Sequence, residues 1–568
     1  MKHQRTHQRI RVLSVIALTV ALCIVLKLYY VQVILGSHYR EKSDNQRIAP
    51  GTHIVSRGNI YFTLKEGSPV SAATLEEGYT LVLHPNRINP ESAYDTLKPY
   101  IAISRDAFLS ATKDQADTYA EIERKVSTTT RADIVALDVP GVSLYRERWR
   151  SYPAGPLAAQ TLGVLGYAED ETLVGRYGLE RQYEKELMRE DTGASISDIF
   201  ARVGSTLAGT THGDGDVVIT IEPTVQQYLE DQLASYNERW HAKTVGGIVM
   251  DPHDGSIVAM ASLPSFDPNN LSKVSLDQLQ NPMVERVYEF GSIMKPITMA
   301  IALDTHAVSA DTTYNDKGSV TYDTATIKNY DGRARGVVPM QEILSQSLNV
   351  GTAFLVTQIG THRFADYMQK FGITEETGID LPNEAAPLVS NLESPRTVEY
   401  VTAGFGQGVA LTPIAMTRAL AALANDGLVP SPHVASTIVY PSGYEKEIGW
   451  SPARRAISSE ATNGVTEMLI EVVDVALKGG RAKVPEMTIA AKTGTAQIAN
   501  PNGGGYYADR YLHSFFGYFP AHKPRFIVFL FALEPVGAPY AADTWTDRFI
   551  DMVRFLTTYY EIVPDRPM

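Results

Sequence analysis

The pattern of hydrophobic and polar residues separates an N-terminal apolar run from a long mixed remainder. Residues 12–35 are mostly apolar, and the residues before them are basic without an acidic one. A helix of about 20 apolar residues crosses a bilayer, and no small-x-small cleavage site of the kind that ends a signal peptide follows the run. We therefore predict a retained transmembrane anchor over 12–35. Residues 1–11 would be cytoplasmic and the rest of the chain would lie outside the cell membrane.

The remainder combines strand-like and helix-like segments. Strands are predicted over 217–221, 244–250, 256–261, 515–519 and 525–533, and a helix over 223–240. Helical patterns fill the middle of this region. Early and late strands around a helical middle are typical of one large α+β domain, whose antiparallel sheet is closed by both ends of the segment. We predict this domain over 216–568.

The region before that domain carries turn signals but no catalytic constellation. Residues 57–61 predict a turn that enters a strand, and the polar stretch 113–131 predicts helix or loop. The polar turn Gly213-Asp-Gly-Asp216 marks a boundary. We predict an elongated, non-catalytic α/β pedestal over 36–215.

Charge and cysteine content exclude some classes of function. The formal net charge of the 568 residues is −13, and nucleic-acid binding needs a basic surface, so no nucleic-acid partner is expected. The one cysteine, Cys23, lies in the apolar run, which excludes a disulfide within the chain and a Cys/His zinc site. No metal and no cofactor are expected.

The first candidate for chemistry is Ser292-Ile-Met-Lys295. Pro296 fits only in the first turn of a helix, so the apolar residues 293–303 predict a helix that begins near Ser292. The Ser292 N–H would then be free to bind an oxyanion. Ser292 and Lys295 would share one face, and a buried lysine loses its charge and can accept the proton of a nucleophile.

This spacing alone is not specific. Ser110-Ala-Thr-Lys113 matches the same pattern, but it lies in a polar stretch with no helix start at its serine. We expect this second copy to be a solvated surface pair. The local context of Ser292 is what favours it as the nucleophile.

The second motif is Ser347-Leu-Asn349. The Ser347 hydroxyl could relay a proton between two lysines or to a leaving amine. The Asn349 amide could accept a hydrogen bond from Lys295 and donate one to a substrate carbonyl. The motif is weak when taken alone, because Ser43-Asp-Asn45 matches the same template.

The third motif, Lys492-Thr-Gly-Thr495, follows a predicted buried strand over 487–491. Lys492 and the hydroxyls of Thr493 and Thr495 are candidates to hold a terminal carboxylate. Gly494 would let a substrate backbone lie close, and the Thr495 N–H is a candidate second oxyanion donor. A strand end that runs into a turn is the alternative. The three motifs in this order indicate acyl transfer through a serine ester.

From about residue 50 onward the sequence resembles the class B penicillin-binding proteins, the monofunctional transpeptidases of bacterial cell-wall synthesis. Beyond the three motifs, the resembling segments are 246–268, 288–296, Gly404-Phe-Gly-Gln-Gly408 with Leu411-Thr-Pro413, 513–520, and, in the pedestal, Arg57-Gly58 and Gly178-Leu-Glu180. Phe290 stands where many relatives carry proline. Leu348 stands where a small or polar residue is common, and it is expected to alter access to the cleft.

The resemblance implies a penicillin-binding transpeptidase fold, similar to that of serine β-lactamases, and a two-step exchange. Ser292 would attack the penultimate D-Ala carbonyl of a donor stem peptide with Lys295 as base, and an amine of a neighbouring stem peptide would then attack the acyl-enzyme. Lys492, Thr493 and Thr495 would bind the donor carboxylate and the oxyanion, and β-lactams would acylate the same serine.

The partners that the resemblance implies are peptidoglycan stem peptides, β-lactams as covalent inhibitors, a SEDS-family membrane glycosyltransferase and other cell-wall machinery of division or elongation. A bifunctional class A protein is rejected, because the region before the catalytic domain lacks the acidic cluster of a glycosyltransferase. A β-lactam sensor, a D,D-carboxypeptidase and a β-lactamase stay open as alternatives. Asn500-Pro-Asn-Gly-Gly-Gly505 is expected to be either a mobile flap beside the cleft or a surface hairpin.

Overall fold

A computed structural model describes residue 27 and residues 56–169, 172–189, 214–500 and 503–566. The predicted anchor over 12–35 lies outside these residues, apart from residue 27, and so does Ser43-Asp-Asn45. In the part of the chain that the structure describes, no helix combines the length and the apolar character that crossing a bilayer requires.

The described secondary structure alternates short strands with helices. The strands are β1 Ile60–Thr63, β2 Pro69–Leu83, β3 Ala120–Val126, β4 Val142–Ser151, β5 Leu165–Tyr167, β6 Leu173–Gly175, β7 Asp216–Ile219, β8 Thr244–Met250, β9 Ile257–Leu263, β10 Thr313–Asp316, β11 Ser319–Tyr322, β12 Ala325–Lys328, β13 Gly336–Pro339, β14 Leu428–Val429, β15 Ala435–Val439, β16 Glu445–Glu447, β17 Arg454–Arg455, β18 Ala490–Ala499, β19 Tyr506–Phe519 and β20 Phe526–Leu533.

The α-helices are α1 Pro90–Leu97, α2 Arg105–Ala111, α3 Thr128–Ala136, α4 Ala159–Leu162, α5 Gly178–Gln182, α6 Glu184–Leu187, α7 Pro223–Trp240, α8 Leu276–Leu279, α9 Pro282–Glu285, α10 Lys295–Asp304, α11 Gln341–Ser345, α12 Asn349–Ile359, α13 Thr361–Lys370, α14 Thr397–Gly404, α15 Pro413–Ala421, α16 Ser459–Glu471 and α17 Ala541–Tyr559. Short 3-10 segments include Gly291–Met294, which leads into α10.

The chain divides into two compact units. The smaller unit includes residues 75–151, and the larger unit holds 57–74 and the described residues from 152 onward. In the smaller unit β2 pairs with β3 and β4, and helices α1 to α3 supply apolar side chains such as Leu97, Phe108 and Ile134 to its core. The proposed domain boundary at 215/216 stays a prediction.

The prediction of helix or loop over 113–131 is wrong in part, because β3 occupies Ala120–Val126. Ala120, Ile122 and Val126 are buried, whereas Glu121 is exposed. The strand places charged side chains on its open face, so its apolar signal is too sparse to recognise in the sequence.

The larger unit is built on a five-stranded antiparallel sheet in the order β18-β19-β20-β8-β9. This confirms a sheet that joins the early strands β8 and β9 to the late strands β19 and β20. The predicted strand over 217–221 is β7, which pairs instead with β1 and β15 in another sheet. Both faces of the five-stranded sheet are buried, and successive residues alternate between two cores. Val249, Phe515 and Leu530 face a core with α7 and α17, while Ile248 and Phe529 face the core that contains α10, α12 and α15.

A buried ion pair ties the start of the larger unit to its helices. The Arg57 Nε donates to Glu180 Oε2 at 2.6 Å, and the two side chains are 3% and 0% exposed. Arg57 also lies 2.8 Å from the Glu184 carboxylate. The two pedestal segments that resemble the family, Arg57-Gly58 and Gly178-Leu-Glu180, therefore contact each other directly.

Candidate active site

Ser292 lies in the 3-10 turn Gly291–Met294, at the point where the chain enters α10. The predicted helix over 293–303 therefore begins as a 3-10 turn, with Pro296 in the first turn of the α-helix that follows. Side chains three residues apart eclipse each other in a 3-10 segment. Ser292, which is partly exposed, and Lys295, which is fully buried, consequently project to the same side.

A glycine segment packs against this turn. The Gly291 N–H donates to the Gly406 carbonyl at 3.2 Å. Gly406 has φ +79°, and a Cβ there would lie 2.3 Å from the Gly291 carbonyl oxygen. The Gly404-Phe-Gly-Gln-Gly408 signature is thus explained by close backbone contact with the nucleophile turn.

The Lys295 amine reaches the second motif. Its Nζ donates to the Ser347 carbonyl at 2.6 Å and to Asn349 Oδ1 at 2.8 Å, and it lies 3.2 Å from Ser347 Oγ. The Asn349 amide thus makes the contact with Lys295 that its position in the sequence suggested. Its contact with a substrate carbonyl stays a prediction.

Ser347 is the point where the three motifs meet. The Lys492 Nζ lies 3.2 Å from Ser347 Oγ and 3.0 Å from the Thr493 carbonyl. The Ser347 hydroxyl therefore lies between two amines, at the same distance from each. Ser347 adopts a left-handed conformation with φ +55°, which a non-glycine residue adopts only when its surroundings hold it there.

Burial changes the acid–base chemistry of both lysines. It lowers the pKa of Lys295 well below its ordinary value, and the nearby Lys492 charge lowers it further. Burial alone lowers the pKa of Lys492 to about 7. Burial thus favours the neutral form of Lys295, which can accept a proton. Lys492, with a pKa of about 7, is still partly cationic near neutral pH.

The lowered pKa of Lys492 predicts a falling limb in the pH profile. If Lys492 binds the carboxylate of a β-lactam, only its protonated form does so well, and that form is lost above a pKa of about 7. We expect the second-order acylation constant to fall by up to about tenfold per pH unit above that value, because this constant reports the free enzyme. Stopped-flow measurements with a fluorescent penicillin from pH 6 to 9 would test this.

Lys492→Arg is the matched variant for that profile. Arginine keeps its charge over this pH range, so the falling limb should disappear even if the acylation constant itself is reduced. A falling limb that persists unchanged in Lys492→Arg would contradict the assignment to Lys492.

The third motif lies inside a strand, not at its end. Strand β18 covers Ala490–Ala499, so the predicted strand over 487–491 begins too early and stops too soon, and the alternative of a strand end is wrong. The pairs Lys492↔Phe516 and Thr495↔His513 continue the ladder with β19 through the motif. In the described residues, no strand pairs with the other edge of β18.

Gly494 has a packing role that the sequence did not indicate. A Cβ at this position would lie 2.3 Å from Ser514 Oγ and 2.6 Å from the Phe290 carbonyl oxygen. The Ser514 hydroxyl donates to that same carbonyl at 2.9 Å. Glycine is therefore required for the nucleophile segment to pack against β18. The approach of a substrate backbone to Gly494 stays a prediction.

The threonines of the motif lie beside the amine. Thr493 and Thr495 are partly exposed. The Thr495 Oγ1 accepts the N–H of Ala541 at 3.0 Å, which fixes the first residue of α17 against the motif. The hydroxyl hydrogen of Thr495 can still donate to a ligand oxygen.

The two departures from the family pattern are both explained by packing. The Phe290 ring lies edge-on to Phe529, with ring centroids 5.1 Å apart, so the phenylalanine fills the core below the nucleophile turn. Leu348 is 0% exposed. The expectation that Leu348 alters access to the cleft is therefore wrong, since its side chain does not reach the cleft.

The structure also separates the two Ser-x-x-Lys motifs. Ser110 is exposed and lies near the end of α2, and Lys113 is exposed as well.

For the loop over 500–505, the Asn500 N–H donates to the Gly505 carbonyl at 2.9 Å, but residues 501–502 lie outside the described residues. The flap stays a prediction.

Sequence reasoning missed three polar residues that support the site, namely Asp316, Asn329 and Ser514. Ser514 lies in a segment that resembles the family, but nothing in the sequence indicates that it binds the Phe290 carbonyl. Asp316 and Asn329 are buried polar residues within polar hairpins, and their contacts come from residues far apart in the chain.

Comparisons with known proteins agree with this geometry. A family model described as the penicillin binding protein transpeptidase domain matches residues 245–542, and one described as the penicillin-binding protein dimerisation domain matches residues 53–199. Stage V sporulation protein D of Bacillus subtilis is 28% identical over 523 residues, which cover 90% of this chain and 79% of that protein.

Two further similar proteins span nearly the whole chain. The probable peptidoglycan D,D-transpeptidase PenA of Neisseria gonorrhoeae is 25% identical over 527 residues, which cover 91% of this chain and 87% of the relative. The crystal structure of penicillin binding protein 3 from Mycobacterium tuberculosis in complex with ampicillin is 24% identical, with a TM-score of 0.69, and the match covers 91% of this chain and 97% of that one. At this identity the likeness to the crystal structure shows the fold.

Proposed function

The chain belongs to the class B penicillin-binding proteins and is a serine D,D-transpeptidase of cell-wall synthesis, and from this premise we propose how its residues share the reaction. The observation that carries the proposal is the convergence of Lys295 and Lys492 on the Ser347 hydroxyl, each at 3.2 Å. Ser292 projects from the same side of its turn as Lys295.

Acylation is the first step. The Ser292 Oγ attacks the penultimate D-Ala carbonyl of a donor stem peptide, and its proton passes to the neutral Lys295 amine. The N–H groups of Ser292 and Thr495 stabilise the oxyanion that forms. Burial of Lys295, which favours its neutral form, supports this role.

Departure of the terminal D-Ala completes acylation. The peptide C–N bond breaks, and the leaving amine takes a proton from Lys295 by way of the Ser347 hydroxyl. This leaves an ester between Ser292 and the donor peptide. The position of Ser347 Oγ between the two amines supports its role in the relay.

In the transfer to the acceptor, Lys295 again takes a proton from the attacking group. An amine of a neighbouring stem peptide attacks the ester carbonyl and loses a proton to Lys295. The Ser292 oxygen then takes a proton back as the ester bond breaks. The products are a crosslinked peptide and the free enzyme.

The donor peptide binds along β18. Among the strands that the structure describes, none pairs with this edge of β18, so an extended peptide can add to the sheet there. Lys492 and the hydroxyls of Thr493 and Thr495 hold the terminal carboxylate of the donor. A β-lactam carries a carboxylate and a strained amide, which correspond to the carboxylate and the scissile amide of the donor. It acylates Ser292 in the same orientation. The ampicillin complex of the similar protein from M. tuberculosis supports this use of the site.

The location and partners follow from the N-terminal sequence and from the family. Residues 12–35 anchor the chain in the cell membrane, with the cytoplasmic tail before them and the catalytic domain outside. A SEDS-family glycosyltransferase supplies the glycan strands whose stem peptides are crosslinked.

Treating spheroplasts with protease would test the orientation of the chain in the membrane. Loss of the catalytic domain with retention of a short N-terminal fragment is expected, and full protection of the chain would contradict it.

The reaction itself is tested by its products. Purified full-length protein in detergent would be incubated with a pentapeptide donor that ends in D-Ala-D-Ala, with and without a stem-peptide amine acceptor, and analysed by mass spectrometry. A crosslinked amide that requires both the acceptor and Ser292 is expected. Hydrolysed tetrapeptide alone would favour a carboxypeptidase, and rapid release of hydrolysed penicillin would favour a β-lactamase.

A further inference from the structure

Two β-hairpins inserted between α10 and α11 carry a buried polar pair. Strands β10 and β13 form one hairpin and β11 and β12 the other. Asp316, at the end of β10, is 0% exposed, and Asn329, just after β12, is 3% exposed. No step of the reaction described above uses either residue.

The Asn329 amide is fully engaged. Its Nδ2 donates to both oxygens of Asp316, at 2.9 and 3.1 Å, and to the Arg333 carbonyl at 3.2 Å. Its Oδ1 accepts the N–H of Val350 at 3.1 Å. A carboxylate only accepts hydrogen bonds and a backbone N–H only donates them, so the chemistry fixes the orientation of this amide.

Asp316 is likewise satisfied by donors. Besides the Asn329 amide, it accepts the N–H of Arg335 at 3.0 Å and that of Gly318 at 3.3 Å. The Arg335 guanidinium binds Asp331. The pair is therefore held by hydrogen bonds and not by a direct ion pair.

These hydrogen bonds end at the second catalytic motif. Val350 is in the first turn of α12, and the N-cap residue Leu348 supplies no side-chain cap of its own. Asn329 therefore caps this helix from a distant part of the chain. Next to it, the Lys328 carbonyl accepts Asn349 Nδ2 at 3.0 Å.

A third contact holds the other side of the same turn. The Arg335 Nε donates to Gln346 Oε1 at 2.9 Å. The segment 346–350 is thus held at both ends by the inserted hairpins. Between those ends lies Ser347 with its left-handed backbone, and this segment presents the Ser347 carbonyl and Asn349 Oδ1 to Lys295.

We propose that Asp316 and Asn329 are positioning residues of the transpeptidase site. They touch neither the reacting serine nor the lysines. They cap α12 and hold the Ser347 turn in its unfavourable backbone conformation, so that Lys295 keeps its acceptors on the side of the turn from which Ser292 projects. This inference rests on the proposed roles of Ser292 and Lys295.

Asn329→Ala tests the proposal through acylation by a fluorescent penicillin. The variant loses the cap on Val350 and both hydrogen bonds to Asp316. We expect the limiting acylation rate constant to fall at least tenfold, while the dissociation constant of the initial complex changes less than threefold. Asn425→Ala is the matched control, because Asn425 is also buried and joins His253 to the Leu428 carbonyl. It should acylate within twofold of the wild type.

Asn329→Asp gives a pH-dependent acylation rate that would not be expected if Asn329 had only a structural role. The new carboxylate can still accept the Val350 N–H, but it faces Asp316 at the distance of a hydrogen bond. Two such carboxylates share a proton at low pH and repel each other when both are ionised. We expect the ratio of the variant's acylation rate to that of the wild type to rise at least fivefold from pH 8 to pH 6.

The outcomes separate cleanly. The proposal fails if Asn329→Ala folds and acylates within twofold of the wild type. It also fails if the acylation rates of Asn329→Ala and Asn425→Ala both fall only in proportion to the folded fraction of each variant. If Asn329→Ala does not fold, the Asn329→Asp ratio decides, and a flat ratio across pH overturns the proposal. Ser292→Ala is measured in parallel. If this variant is still labelled, the assignment of Ser292 as the nucleophile is wrong, whatever the result for Asn329.

Discussion

Replacing Ser292 with alanine is expected to abolish covalent labelling by a fluorescent penicillin, with an acylation rate at least about 10⁴-fold lower than that of the wild type. The variant removes the oxygen that forms the ester. It leaves the Gly291 contact with Gly406 and the packing of the turn in place. The measurement is labelling followed by gel fluorescence and intact-protein mass spectrometry, which detects the added mass of the drug.

Ser110→Ala is the matched control for this prediction. It removes a serine from the same Ser-x-x-Lys spacing, but on an exposed part of α2. We expect its labelling to equal that of the wild type. Labelling that survives Ser292→Ala and disappears in Ser110→Ala would move the nucleophile to the other motif, and the account of the site would fail.

Lys295→Met is expected to lower the limiting acylation rate by about 10²- to 10⁴-fold, the range for loss of a general base. Methionine has a similar length and no lone pair that can take the Ser292 proton. It also leaves the Ser347 carbonyl and Asn349 Oδ1 without the donor that now binds them. Lys113→Met is the control, because Lys113 holds the equivalent place in the exposed motif.

The stability of Lys295→Met should depend on pH in a defined direction. Burial lowers the pKa of Lys295 in the folded protein, so between that lowered pKa and the unfolded value of about 10.4 the unfolded chain binds a proton that the folded chain does not. This linkage lowers the free energy of unfolding of the wild type at neutral pH and fades toward alkaline pH. The variant lacks it.

Denaturant titrations at several pH values measure this effect. We expect the free energy of unfolding of Lys295→Met, taken relative to that of the wild type at the same pH, to fall by up to about 1.4 kcal/mol per pH unit as the pH rises through that window. A relative free energy of unfolding that rises with pH, or a variant that acylates at the wild-type rate, would contradict a neutral buried lysine as the base.

The sequence predicted best where one physical signal dominated. Helix α7 begins at Pro223 and ends at Trp240, as predicted, because a proline in the first turn and an amphipathic pattern mark the same bounds. Strand β8 also matches its predicted range, 244–250, because a short apolar run between polar turns is typical of a buried strand.

The chemistry was harder to predict where geometry depends on distant residues. Ser347 adopts a left-handed backbone that serine does not prefer, and the hairpins that hold it carry no recognisable motif. The sequence also does not indicate the packing role of Gly494, where a Cβ would lie against Phe290 and Ser514. Such contacts exist only after the chain has folded, so local propensity cannot indicate them.

The strand order of the central sheet has a consequence for how the protein matures as it is synthesised. Strands β8 and β9 join the β18–β19 hairpin only through β20, which ends at Leu533. A polypeptide delivered from its N-terminus therefore carries its nucleophile long before it can assemble a working cleft. Arrested chains that end before Phe526 should remain unlabelled by penicillin. The growing protein would stay inert toward the stem peptides, and toward the antibiotic, until almost all of it has been synthesised.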